Sequence, residues 1–226
     1  MDESTRQRDR LHGLAVVGIA FLLSLGISFW AKRVSEPEQS KPPAPPTTAG
    51  IAGWPNSVDP ILTLDAARSL TRRSLFRGMV AEGVHSDGSL PVKQAGVRVR
   101  YSFQSPPGHG PQPPRVPGVV PRRNLCGRQN VHITEKGIYA DPDQLDLPCA
   151  PVPVEGLPAP RCSLAEIWKL AREKGVSAQA TARIEYYRSQ AGPAWRFELP
   201  DGSMRFSVYG DCQRELTRAE ASGSVP

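Results

Sequence analysis

The stretch that decides the fold runs from Ser163 to Cys212: SLAEIWKLAREKGVSAQATARIEYYRSQAGPAWRFELPDGSMRFSVYGDC. Ser163-x-x-Glu166 is a capping box, in which each side chain reaches the other's backbone N–H. Leu164, Ile167, Trp168 and Ala171 follow at the spacing of one helical face. Lys174 suits the negative end of that helix, and Gly175 suits a left-handed stop. The period then changes from 3.6 to 2. Ala182, Ile184 and Tyr186 share one strand face, then Trp195, Phe197 and Leu199, then Met204, Phe206 and Val208. Pro200-Asp201-Gly202-Ser203 is turn chemistry between the last two strands. The alternate residues Arg183, Glu185, Arg196, Glu198, Arg205 and Ser207 are polar and can pair across strands. The expected product is one helix on an antiparallel sheet, with Tyr187 on the wet face.

Upstream the pattern is weaker. Asp59 can cap a helix with Pro60 at its first position. Leu64, Ala67, Leu70, Leu75 and Met79 approximate one apolar stripe, so a helix is expected over about 59–81. Val97 to Phe103 alternates cleanly and reads as a half-buried strand. Short strands are expected at Val131 to Ile133 and Gly137 to Ala140. Ser105 to Arg123 reads as a loop, with seven prolines in the 16 residues from Pro106 to Pro121. Asp141 to Arg161 reads as irregular. A helix, a Gly-Val pair and a strand carrying Arg-x-Arg-Tyr or Arg-x-Glu-Tyr recur in both halves. That suggests two related units, 57–104 and 162–216, sharing a sheet.

Before these units, Leu11 to Ala31 (LHGLAVVGIAFLLSLGISFWA) is 21 residues with no formal charge. As a helix it spans about 30 Å, the thickness of a bilayer core. Leu14, Phe21, Leu25 and Trp30 are the expected lipid contacts. The alternative is a cleaved signal peptide, cut after Ser28, which would give a secreted soluble protein. Arg6, Arg8 and Arg10 precede the segment, while Lys32, Arg33 and Lys41 follow it, so flanking charge scarcely orients it. Val34 to Pro55 is proline-rich and reads as a semi-rigid spacer. The expected order is a tail at 1–10, a transmembrane helix at 11–31, a linker at 32–56, an α+β domain at 57–216 and a disordered tail at 217–226.

Four cysteines, Cys126, Cys149, Cys162 and Cys212, all lie beyond that segment. None forms C-x-x-C, and no histidine sits near them at zinc spacing, so no metal is expected. An even count in an exported domain reads as two disulfides. Three connectivities are open. Cys126–Cys149 with Cys162–Cys212 is preferred, because Cys212 keeps the inward parity of Phe206 and Val208 while Cys162 precedes the helix cap. The cysteines put the bulk of the chain outside the cytoplasm.

The net charge is +6, with no run of five Lys or Arg, which argues against a nucleic-acid partner but permits lipid head groups or acidic glycans. His85-Ser86-Asp87 holds triad residue types, yet sequence neighbours cannot take triad geometry. Asp141, Asp143 and Asp146 lack the glycine and glutamate of a calcium loop. No P-loop, dinucleotide, zincin or nucleophile-elbow motif occurs, and no cofactor is expected. A site assembled from His85, Asp87, His132 and Glu135 is the one enzymatic arrangement left open.

The helix followed by three antiparallel strands over 163–212 resembles PepSY-type modules of exported bacterial proteins. The resemblance lies in element order, without a diagnostic motif. It implies binding or inhibition, and it assigns no functional residue. The reading is a single-pass, membrane-anchored binding or scaffold protein of the bacterial envelope, periplasmic in its bulk. Its partners would be membrane lipid through the helix and a protein of the envelope.

Overall fold

Helix α2 (Leu164–Glu173) forms where the capping box starts it. Glu166 N donates to Ser163 Oγ at 3.2 Å, and Ser163 N donates to Glu166 Oε2 at 2.7 Å. The helix stops at Gly175, whose φ of +90° is the left-handed region that glycine tolerates. There Gly175 N donates to Arg172 O and Val176 N to Ala171 O, closing the last turn. Its buried face is Leu164, Ile167, Trp168 and Ala171, as the spacing requires.

The computed structural model describes residues 44–106, 125–148 and 155–223. The expected transmembrane segment with Leu14, Phe21, Leu25 and Trp30 lies outside them. So do Cys149 and residues 107–124. No helix of the described residues is long and apolar enough to cross a membrane.

The remaining elements are α1 (Leu64–Ser69), β1 (Leu75–Val84), β2 (Arg98–Gln104), β3 (Leu125–Thr134), β4 (Gly137–Ala140), β5 (Gln144–Pro148), β6 (Ala182–Ser189), β7 (Gly192–Glu198) and β8 (Arg205–Tyr209). They build one antiparallel sheet in the order β4-β3-β2-β1-β6-β7-β8, with β5 also on β3. The fold is α+β and dominated by its sheet. A helix followed by a three-strand meander occurs twice, α1-β1-β2-β3 and α2-β6-β7-β8. The two meet where β1 and β6 pair, with Met79 opposite Tyr186 and Ala81 opposite Ile184. The Gly-Val pairs do not mark equivalent positions, since Gly83-Val84 ends β1 and Gly175-Val176 ends α2.

The helix expected over 59–81 is a correction. Asp59 does cap, its Oδ1 accepting from Ile61 N at 2.8 Å and Leu62 N at 3.1 Å. The helical turns end at Leu70, however, and Leu75 onward is strand. A β-bulge between Phe76 and Gly78 explains the misreading. Its extra residue spaces the inward Phe76 and Met79 three apart, which imitates a helical stripe in sequence. β5 corrects the irregular reading of 141–161, and β3 is far longer than Val131 to Ile133.

One face of the sheet carries the main core. Val99, Tyr101, Phe103, Val131, Ile133, Ile184, Tyr186, Trp195 and Phe197 are fully buried there. Trp168 of α2 meets Phe197 edge-on at 5.0 Å. The buried Tyr101 hydroxyl donates to Pro60 O at 2.7 Å, tying β2 to the turn before α1.

Both ends of the chain's described part join this body. Residues 44–56, expected as linker, contribute buried Ile51 and a bridge in which Thr47 pairs with Ile138 of β4. The expected disordered tail is also corrected over 217–223. Leu216 is buried and Val208 bridges Glu215. Tyr187 is therefore buried, not wet. Its hydroxyl donates to Ala221 O at 2.7 Å, and the Arg196 guanidinium lies 4.2 Å from its ring centre.

Cys162 and Cys212 form a disulfide, with Cα atoms 5.9 Å apart. The pairing is the one preferred from sequence, but the strand parity behind it is not. β8 ends at Tyr209, and Cys212 sits in the following turn with φ +61°.

Candidate anion-binding cluster

The histidines and carboxylates of the enzymatic alternative are engaged separately. His85 Nε2 meets Gln94 Oε1 at 3.2 Å. Asp87 closes its own turn, and hydrogen bonds from Ser89 hold its carboxyl below the usual range. His132 pairs with Asp141 at 2.7 Å and stacks on Tyr139 at 5.4 Å. Glu135 is exposed in the β3–β4 turn. A cavity of about 590 Å³ lies beside β8 and the C-terminal segment, lined by Arg196, Arg205, Glu215 and Arg218 among others. None of the four candidate residues lines it. Asp141 and Asp143, weighed as calcium ligands, are paired with His132 and Arg73. Among the described residues no three His, Cys, Asp or Glu side chains are arranged to hold a metal ion.

Cys126 is disulfide-bonded as well, but the partner expected for it, Cys149, is outside the described residues.

The chemistry that does converge is cationic. On β3, Val131 and Ile133 face the core, so Arg128, Asn130 and His132 take the opposite parity. On β2, Val99, Tyr101 and Phe103 face the core, so Arg100, Ser102 and Gln104 take it too. Register sets Arg100 opposite His132 and Gln104 opposite Arg128. Arg77 enters from the β1 bulge, and Arg188 comes from the end of β6 with the core-side parity of Ile184 and Tyr186. Arg77 Nη1 and Arg188 Nη2 both donate to the Glu155 carbonyl, at 3.2 and 3.3 Å. Arg188 Nη2 also reaches Gly156 O at 3.2 Å.

Arg77 lies within the field of Arg188 and Arg128, and Arg128 within that of Arg100. Burial lowers the Arg77 pKa first, and the charges of Arg188 and Arg128 lower it further. Burial and then the charge of Arg100 lower that of Arg128. The Nε atoms of Arg77, Arg128 and Arg188 are buried without a hydrogen-bond acceptor. Among the described residues none of the four has a carboxylate partner. Glu82, Asp141 and Asp143 are committed to Arg98, His132 and Arg73, Glu185 to Arg196 and Arg183, while Glu155 stands exposed beside Arg77 and Arg188. The internal segments 107–124 and 149–154 contain no Asp or Glu, only Arg115, Arg122 and Arg123 as charges. Partly buried like charges that form no ion pair among the described residues favour an external anion, and the planar fork of arginine suits carboxylate or phosphate.

The sequence concealed this cluster because β1, β2, β3 and β6 each supply one arginine. A search for consecutive basic residues cannot detect it. The one visible hint was Arg100 on the wet face of VRVRYSF.

No family model, no curated protein and no solved structure matches the chain. Nothing among the described residues points to catalysis.

Proposed function

We propose that this chain is a single-pass, membrane-anchored extracytoplasmic binding or scaffold protein of the bacterial cell envelope. The observation that supports the binding role is that Arg77 and Arg188 meet at the Glu155 carbonyl with no ion pair to a carboxylate among the described residues. A folded protein tolerates such repulsion most readily where a ligand supplies the missing charge. The Cys162–Cys212 disulfide fits an oxidising compartment. The apolar run 11–31 supports the anchor, with Leu14, Phe21, Leu25 and Trp30 in lipid. A protein of the envelope is the partner this layout suits.

Two measurements in intact cells test the reading. A membrane-impermeant thiol reagent, applied after reduction, should label the cysteines without lysis. Photo-crosslinking from the folded body should trap a defined envelope neighbour. Cysteines reached only after lysis, or a body that traps no neighbour, would sink it.

A further inference from the structure

We infer that the outer edge of β8, with Arg205 and Arg218 beside it, takes the acidic C-terminal end of an extended peptide as an added strand. The inference rests on the binding role proposed above and names the chemistry of the partner.

The edge is only half covered. Leu199 N donates to Met204 O at 3.0 Å across the β7–β8 ladder. By the alternation of an antiparallel ladder, Met204, Phe206 and Val208 turn their backbone groups toward β7, while Arg205, Ser207 and Tyr209 turn theirs outward. The C-terminal segment covers the far part of that edge, where Tyr209 N donates to Arg214 O and Leu216 N to Ser207 O, both at 2.8 Å. It then leaves the edge. Ala221 N turns back to Thr217 O at 2.9 Å, and the Tyr187 hydroxyl holds Ala221 O over the sheet face. Ser207 N–H and the N–H and C=O of Arg205 are left without a backbone partner among the described residues.

These groups open into the cavity of about 590 Å³ beside β8, whose lining includes Arg205, Ser207, Leu216 and Arg218. Its other charges are engaged, Arg196 by Glu185 and Glu215 by Lys174 at 2.7 Å. Register sets Glu198 opposite Arg205, yet Arg205 and Arg218 form no ion pair among the described residues.

Three features fix the occupant. The open edge offers an acceptor as well as donors, so a lone anion would leave the Arg205 carbonyl unpaired, whereas a peptide backbone answers both. Leu216 already holds the Ser207 carbonyl, so an added strand must end there. Two unpaired guanidinium groups favour a carboxylate at that end over an ammonium.

The test uses the full chain in uncharged detergent. The probe is a hexapeptide of alternating valine and glutamate, labelled at its N-terminus and free at its C-terminus. It should bind, its C-terminal amide should bind roughly tenfold more weakly, and the valine–lysine counterpart should not bind. Arg205→Gln with Arg218→Gln should reduce affinity by roughly tenfold or more, at an unchanged melting temperature. Lys93→Gln with Lys169→Gln, exposed residues of the β1–β2 loop and of α2, should change it by less than about twofold. Bound peptide should slow amide exchange at Arg205 and Ser207 severalfold, which attraction to side chains alone would not do.

Equal binding of acid and amide, equal loss in both double variants, or unchanged exchange at Arg205 and Ser207 would overturn the inference. So would a dimer that the Arg205/Arg218 variant dissociates, since a second copy would then own the edge. A chain that traps an envelope neighbour but ignores the peptide fails here and keeps the broader reading. A chain that binds the peptide but is not extracytoplasmic does the reverse.

Discussion

Arg196 of β7 donates from Nη1 to Glu185 Oε2 of β6 at 3.2 Å, with the two side chains only 10% and 5% exposed. Arg196 Nη2 also donates to Gly223 O at 2.8 Å and Ala221 O at 3.3 Å. The pair thus binds two strands together and holds the C-terminal segment against them. Removing Arg196 leaves the buried Glu185 carboxylate to the half-exposed Arg183, 3.7 Å away. Arg196→Ala should cost on the order of 3–5 kcal/mol, while Glu185→Met with Arg196→Met should cost much less. Urea unfolding at matched m-values measures both, and equal losses would mean that packing, not charge, dominates.

The Cys162–Cys212 bond closes a sequence separation of 50 residues. In the chain-entropy account that constraint stabilises by about 4 kcal/mol. For a domain of this size the replacement of both cysteines by alanine should lower the melting temperature by on the order of 10 °C. The bond also pins the start of α2 to the turn after β8, so exchange protection in α2 should fall first. Calorimetry with amide exchange reads both effects.

Acid should loosen the C-terminal segment before the sheet. Glu220 accepts from Thr217 N at 2.9 Å and from Arg214 Nη1 at 2.8 Å. These bonds, that from the Thr217 backbone foremost, pull its pKa from the ordinary 4.5 down to about 2. A carboxylate depressed on folding stabilises fully above its unfolded pKa and loses that contribution as pH falls through the folded one. The window is therefore from about 4.5 down to about 2. Amide exchange at 217–223 should rise across it, and Glu220→Gln should abolish that dependence. An unchanged profile in the variant would refute the assignment.

Ser163 caps α2 from an exposed position, so its loss removes a bond without opening a cavity. Ser163→Ala should destabilise by about 1 kcal/mol. The Glu166 carboxyl, held below its usual range chiefly by the Ser163 backbone N–H, keeps that bond in the variant. Its NMR titration should accordingly remain depressed while the unfolding midpoint drops. A return to the ordinary carboxylate range would show that the side-chain hydroxyl is the larger influence.

The C-terminal half was legible because each of its signals is local. A serine three residues before a glutamate, a Gly after a Lys and three alternating runs need only neighbours to be read. The N-terminal half hid its first strand behind the Phe76–Gly78 bulge, which gave a two-residue repeat the local look of a helix. Tyr187 misled for another reason, and the cross-strand partner expected for Arg196 is found but buried. Strand parity sends them away from the main core, but it says nothing about a later segment that covers them. The arginine cluster was least legible, since its charges lie on four strands and only pairing brings them together.

The antiparallel bridge between Thr47 and Ile138 fixes where the body can be cut. Composition alone suggests a boundary at residue 57, after the prolines. A fragment begun there loses Ile51, the Ala52 carbonyl that accepts from Asp59 N and the backbone partner of β4. The outer N–H and C=O groups of Ile138 then become a template for a second molecule, and such a fragment should self-associate. A fragment begun at residue 44 keeps that partner and should remain monomeric at the same concentration.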